Sequence, residues 1–193
     1  MNNLLHIHSS ANLHGSTSRQ IGAQLVARLQ HTHPGLQVVE RDLAKDPLPH
    51  IDENFISVIY SDPNHPNLKL SNQLVDELIQ ADVIVIEAAM YNFGIPSTLK
   101  AWIDHVARAG RTFSYGEGGP KGLLTGKKLH LVLGRGGVYS AGPSQAFDFQ
   151  EPYLKSVLGF LGLTDVEVIR IEGTSMGKTE EALEAARQKV ATA

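Results

Sequence analysis

Val83-Ile84-Val85-Ile86 constrains this chain more than any other stretch: four β-branched apolar residues in a row, with no polar alternation. A strand with one wet face alternates apolar and polar residues. A strand that is apolar throughout is covered on both faces and belongs inside a parallel sheet with helices above and below. The remaining segments fit that demand. Leu4 to His8, Leu36 to Leu43, Lys128 to Leu133 and Val166 to Ile171 read as four further strands. Helix-period segments separate them. Ser16 or Thr17 can cap the first helix, whose apolar face is Ile21, Leu25 and Leu29 with Gly22 and Val26 beside it; His33-Pro34-Gly35 stops it. A short helix from Asp52 to Tyr60 precedes one from Leu68 to Gln80, with Leu74, Val75, Leu78 and Ile79 on one side. Pro96 and Ser97 open a helix carrying Leu99, Trp102, Ile103 and Val106. Tyr153, Leu154, Val157, Leu158 and Leu161 mark the next, and Thr179 to Val190 the last. The Gly-rich stretch Arg111 to Lys127 reads as an excursion holding a small hairpin. Strands each followed by a helix predict an α/β doubly wound three-layer sandwich on a five-stranded parallel sheet.

At 193 residues the chain is expected to form one domain, residues 1–193, large enough to need no disulfide or metal staple. It has no cysteine, which removes disulfides, thiol nucleophiles, zinc–thiolate sites and iron–sulfur ligation together. A net charge of −3 and a pI near 6.3 offer nothing to nucleic acid or to a membrane surface. The first residues lack the basic start and apolar run of a signal peptide, and no apolar run approaches a membrane-spanning length. The cytoplasm is the expected location.

Three loops carry unusual residues. After strand one, Ser9 to Arg19 crowds hydroxyls (Ser10, Ser16, Thr17, Ser18) against a helix N-terminus, where free N–H groups and the helix dipole favour an anion. After strand three, Tyr91-Asn92-Phe93-Gly94 offers flat faces for a ring and polar groups for its edge. After strand four, Gly134-Arg135-Gly136-Gly137 lets the backbone approach a ligand closely. Alone, each loop also reads blandly, as an N-cap, as packing, or as a flexible turn. Together they supply a phosphate cradle, a ring platform and a close backbone contact, which are the needs of FMN.

The segment Met90 to Asp104 resembles the flavin loop and following helix of the FMN-dependent NADH-azoreductases, a family that also reduces quinones. Ala107 to Tyr115, Gly119-Pro120, Gly122-Leu123, Thr125 to Lys128, Gly134 to Gly137, Pro152-Tyr153-Leu154 and Gly159 to Gly162 are similar too. The similarity runs nearly end to end and is strongest over residues 82 to 166. It implies a flavodoxin-like fold, with ligands at the carboxyl ends of strands one, three and four. It implies phosphate and ribityl contacts from Ser10, Ser16, Thr17 and Ser18. It implies isoalloxazine contacts from Met90, Tyr91, Asn92, Phe93, Gly134, Arg135, Gly136 and Gly137. The family is homodimeric, with one FMN per subunit, and Tyr115 and Phe160 match aromatic positions that reach over the partner's flavin and take substrate. NADH is the implied electron donor; quinones and azo compounds are the implied acceptors. No side chain is expected to act as an essential acid or base. Three residues depart from the family pattern: Ala89 where Pro is common, Gly134 where Ser is common, and Ser114 where Arg is common.

Other motifs carry less. Gly173 to Thr179 looks like a P-loop but has three residues, not four, between its first Gly and Gly-Lys-Thr, so a helix N-terminus capped by Ser or Thr is expected there. His6 and His8 share one face of strand one, but the sequence places no third ligand beside them, and no metal is expected. No Gly-x-Ser-x-Gly elbow is present for a serine nucleophile. The rival readings are an electron-carrying flavoprotein, which would be more acidic, and a non-catalytic receiver-like module, which would need acidic residues at the strand ends.

Overall fold

The computed structural model describes residues 1–193. Strands β1 (Asn3–His8), β2 (Gln37–Asp42), β3 (Val83–Ala89), β6 (Lys128–Gly134) and β7 (Asp165–Ile171) form one sheet in the order β2-β1-β3-β6-β7. Every pairing in it is parallel. The chain starts near the middle, winds outward to β2, then crosses β1 and winds the other way. The reversal lies between β1 and β3, where a doubly wound sheet opens a crevice at its carboxyl edge.

The apolar run of β3 has its explanation in the two cores. Ile84 and Ile86 join a cluster with Leu5, Ile7, Leu129 and Leu131, covered by α3 (Lys69–Gln80), α4 (Ser97–Val106) and α5 (Glu151–Phe160). Val83 and Val85 join the opposite cluster with Leu4, Val132 and Ile169, covered by α1 (Thr17–Thr32) and α6 (Thr179–Thr192). Successive side chains point to opposite faces, so a run covered on both sides, such as Val83 to Ile86, is apolar at consecutive positions. The edge strand β2 reads Gln-Val-Val-Glu-Arg-Asp, a charged edge that resists further pairing.

The sequence-derived boundaries hold to within a residue or two, with physical exceptions. Leu36 and Leu43 lie just outside β2 and plug its two ends. The second helix, α2 (Glu53–Val58), is shorter than expected; the Asp52 carboxylate caps it by accepting from the Phe55 N–H at 2.9 Å. Ile79 falls on the solvent rim of α3, while Leu74, Val75 and Leu78 are buried. Leu161 follows α5 as its C-cap and is fully buried.

The Gly-rich excursion is the expected hairpin, β4 (Phe113–Gly116) paired antiparallel with β5 (Gly119–Gly122). It docks on the end of α5. Phe113 packs its ring 4.6 Å from that of Phe160. Gly122 lies so close to the Leu161–Gly162 backbone that a Cβ there would sit 2.2 Å from the Gly162 nitrogen. Backbone cannot move aside as a flexible side chain can. Gly122→Ala is therefore expected to lower stability by about 1–3 kcal/mol or to undock the hairpin, read as a drop in the urea midpoint together with new protease sensitivity between residues 111 and 127.

Candidate active site at the carboxyl edge of the sheet

The loops after β1, β3 and β6 converge on one cleft of about 500 Å³, within the range of small-molecule sites. Ser10, Ser16, Thr17, Ser18, Met90, Tyr91, Gly134, Arg135 and Gly136 all border it. A larger hollow over α3 is lined by polar and charged side chains apart from Pro66 and offers no aromatic platform to a flavin ring.

The first loop is tightly held. Ser16 is the N-cap of α1 and accepts from the Arg19 N–H. Its hydroxyl lies 3.0 Å from that of Ser18. Arg19 reaches back to donate to the Ser10 carbonyl at 2.9 Å and grips Asp42 with two bonds of 2.8 Å each. The Arg19 hydrogen bonds hold the Asp42 carboxyl well below the usual carboxylate range. The Tyr91 phenol accepts from the Ala11 N–H at 3.1 Å, closing the second loop onto the first.

The second loop is strained. Asn92 and Phe93 have φ of 49° and 69°, in the left-handed region that side chains rarely adopt. Reciprocal backbone bonds between Tyr91 and Gly94 hold this tight turn. Strain of this kind, at a cleft, is maintained by surrounding structure. The N–H groups of Asn92, Phe93, Gly136 and Gly137 find no acceptor within the protein. Asn92 and Phe93 stand at the exposed rim rather than in the cleft wall. Phe93 is clustered there with Phe147, at a ring separation of 5.6 Å, and with Tyr139 at 6.2 Å.

In the third loop Arg135 behaves differently from its glycine neighbours. Its guanidinium is fully buried, within 3.0 Å of both Asp148 and Glu172 and 3.4 Å from Glu151, and its Nε donates to Gln150. Its main chain is committed as well: the Arg135 N–H donates to the Ile171 carbonyl at 2.8 Å, and its carbonyl accepts from the Thr174 hydroxyl at 3.1 Å. The glycines leave little room for side chains. A Cβ at Gly136 would meet the Ser175 hydroxyl at 2.7 Å, and one at Gly134 would meet Thr17 Oγ1 at 3.3 Å. Glycine at 134, in place of the common Ser, thus keeps the Thr17 hydroxyl clear.

Sequence reasoning missed a fourth wall. Thr174, Ser175 and Thr179, within the segment dismissed as a P-loop decoy, line the same cleft. The expected Ser or Thr cap is absent. Lys178 is the N-cap of α6 and makes no side-chain cap bond, while Thr179 donates to the Thr174 carbonyl at 3.0 Å. A short 3₁₀ turn, Thr174–Met176, sits between the left-handed residues Gly173 and Gly177. The missed signal was the hydroxyl content of a loop that leaves a strand at the same sheet edge. Tyr115 and Phe160 lie outside this cleft, on the hairpin and the end of α5, and Tyr115 is 72 % exposed.

Arg170 and Lys155 complete the network around Arg135. Arg170 grips Glu151 at 2.6 and 2.7 Å, and Lys155 reaches it at 2.8 Å. Burial pushes the Glu151 carboxyl up, but the Arg170 and Lys155 hydrogen bonds win and hold it at about 2, against an ordinary 4.5. A carboxyl with a depressed folded value contributes stability that is present above about 4.5 and lost as pH falls toward about 2. Glu151→Gln should therefore flatten the acid side of the stability profile, measured as urea midpoints over that interval. Arg135→Ala leaves buried carboxylates uncompensated and should cost about 3–5 kcal/mol; Arg135→Lys should recover little of it, because a lysine cannot reproduce the planar fork.

The family model for the flavodoxin-like fold matches residues 2–193. An FMN-dependent NADH:quinone oxidoreductase of Herminiimonas arsenicoxydans is 50 % identical over 183 residues, covering 92 % of this chain and 90 % of that protein. FMN-dependent NADH:quinone oxidoreductase 2 of Pseudomonas fluorescens strain Pf0-1 is 47 % identical with the same coverage. Among solved structures, an azoreductase of Bacillus anthracis strain Sterne superposes with a TM-score of 0.91 at 30 % identity, covering 100 % of this chain and 98 % of that one. An FMN-dependent NADH-azoreductase of B. anthracis strain Ames Ancestor, in complex with FMN, superposes with a TM-score of 0.88 at 25 % identity, covering 98 % and 96 %. With its fold, its cleft and these relatives in agreement, the chain belongs to the flavodoxin-like family, in the group that holds the FMN-dependent NADH:quinone oxidoreductases and azoreductases.

Proposed function

We propose that this protein is an FMN-dependent NADH:quinone oxidoreductase that also cleaves aromatic azo bonds to amines, acting as a cytoplasmic homodimer with one FMN in each single-domain subunit. The observation that carries the reading is the donor set of the cleft. Hydroxyls at the start of α1 and the acceptor-free N–H of Gly136 border a space, with the acceptor-free N–H groups of Asn92 and Phe93 and the rings of Phe93 and Phe147 at its rim.

Each part of the cleft suits one part of FMN. The phosphate would lie at the N-terminus of α1, where Ser10, Ser16, Thr17 and Ser18 supply hydroxyls and the helix dipole favours negative charge. A hydrogen bond to a charged group is worth about 1.5–3 kcal/mol net, so a few of them anchor the cofactor. Thr174, Ser175 and Thr179 widen that polar floor. Met90 and Tyr91 would support the ring system, with Tyr91 fixed through its phenol. The N–H groups of Gly136, Gly137, Asn92 and Phe93 would face the polar edge of the ring and favour negative charge there.

FMN, when bound, supplies a ring that takes a hydride from NADH and passes two electrons to a quinone or azo compound in a ping-pong cycle. The protein orients the flat molecules that occupy the site in turn, and solvent supplies the protons. Tyr115, exposed on its hairpin, and Phe160, joined to it through ring contacts of Phe113, would reach a second subunit's cleft. Exposed Phe93, Phe147 and Phe149 would make the complementary aromatic surface. Ser114, in place of a common Arg, takes a positive charge away from that position, which would bear on the preference for acceptor or nicotinamide.

Reconstitution with FMN followed by anaerobic NADH tests the reading. The flavin absorbance should bleach and return when a quinone or azo dye is added, with parallel double-reciprocal plots. Bound flavin that NADH fails to bleach would indicate an electron carrier, and absence of bound flavin would undo the site. In the same assay Tyr115→Ala should raise KM for the quinone while FMN content stays unchanged.

A further inference from the structure

A second polar cluster lies beneath the first loop, and the FMN chemistry does not use it. Glu87 of β3 is fully buried under α1, against Gly22; a Cβ on Gly22 would fall 1.9 Å from Glu87 Oε1. No lysine or arginine pairs with this carboxylate. Its partners are His6 Nε2 at 2.6 Å and His8 Nδ1 at 2.8 Å. A carboxylate only accepts, so each imidazole must present an N–H to it. That choice fixes both tautomers and leaves a lone pair on His6 Nδ1 and another on His8 Nε2. His6 is 1 % exposed, and its Nδ1 has no partner in the protein. A buried polar atom left in this state is costly, so a ligand that takes its lone pair would relieve a real penalty.

The parallel register supplies a neighbour. His6 lies opposite Glu40, and His8 opposite Asp42. His6, His8 and Glu40 each offer a ligating atom, and the three atoms lie within 4.8 Å of one another on the wall of one recess beside α1. Asp42 is already gripped by Arg19 and is not free to compete. We propose that His6, His8 and Glu40 form a divalent transition-metal site, with Zn²⁺ as the fitting ion and Glu87 as the outer carboxylate that orients both rings. Two imidazoles and one carboxylate are a borderline nitrogen and oxygen set, suited to zinc rather than to magnesium or calcium. Metal-bound histidines usually donate their other N–H to a carboxylate in this way. The charges of Glu40 and Glu87 balance a dication. Zinc bonds of about 2.0–2.2 Å require the ligands to draw in slightly, and the exposed Glu40 side chain has the freedom to do so. The recess is open to solvent, so water completes the coordination.

Tag-free protein, stripped with a chelator, is equilibrated with Zn²⁺ by dialysis, and the bound metal is quantified. The proposal expects one zinc per chain, and a thermal midpoint that rises with zinc concentration. Glu40→Ala and His8→Ala should abolish stoichiometric uptake, while His31→Ala should leave it intact. Glu87→Gln keeps all three ligands and should weaken binding about 10–100-fold. Glu40 is exposed on an edge strand, so its variant gives a readable result even if the Glu87 variant fails to fold. No zinc uptake by the unaltered protein, or equal uptake by Glu40→Ala and His8→Ala, would overturn the assignment.

Discussion

Arg135 leaves the end of β6 and turns its guanidinium into a buried pocket, where Asp148 and Glu151 meet its Nη2 and Glu172 meets its Nη1. Arg170 and Lys155 share the load on Glu151, so three cations face three carboxylates. Glu172 also accepts from the Tyr139 and Ser140 N–H groups, which ties the loop after β6 to the end of β7. Asp148 accepts from the N–H groups of Gln150, the N-cap of α5, and of Glu151, its first residue. One buried charge thus joins a glycine loop, the start of a helix and the last strand of the sheet. A buried pair contributes little net energy but is costly to break. Its value here is positional: the cleft depends on main-chain groups, and main chain keeps its direction only when what flanks it is fixed.

The layered fold was legible because it is a matter of periodicity. An apolar run without alternation demands cover on both faces, and Val83 to Ile86 finds it inside a parallel sheet with helices above and below. Strand order was not legible from periodicity; the resemblance implied only a flavodoxin-like fold, and the sheet takes the order β2-β1-β3-β6-β7. The loops after β1, β3 and β6 were legible as chemistry because hydroxyls, aromatics and glycines are unusual at strand ends.

What stayed hidden depended on side-chain direction or on pairing between distant segments. Nothing in the text of Gly134-Arg135-Gly136-Gly137 says that the arginine faces inward. That depends on carboxylates 13 to 37 residues away in Asp148, Glu151 and Glu172. Thr174 and Ser175 were set aside because their segment failed a nucleotide motif by one residue, although failing one motif does not remove a loop from a cleft. Glu40 is unremarkable in sequence and acquires a neighbour in His6 only through the register of β1 on β2. These are tertiary facts, and no local pattern encodes them.

The central claim is that one cleft, built from four separate loops, holds the flavin mainly through hydroxyls and main-chain N–H groups. Amide hydrogen exchange with and without FMN tests it most directly. The account predicts FMN-dependent protection in residues 10–18, 89–94, 134–137 and 174–179, with the last segment responding alongside the other three. Protection confined to other parts of the sheet edge, or a binding response that leaves 134–137 and 174–179 unchanged, would contradict it.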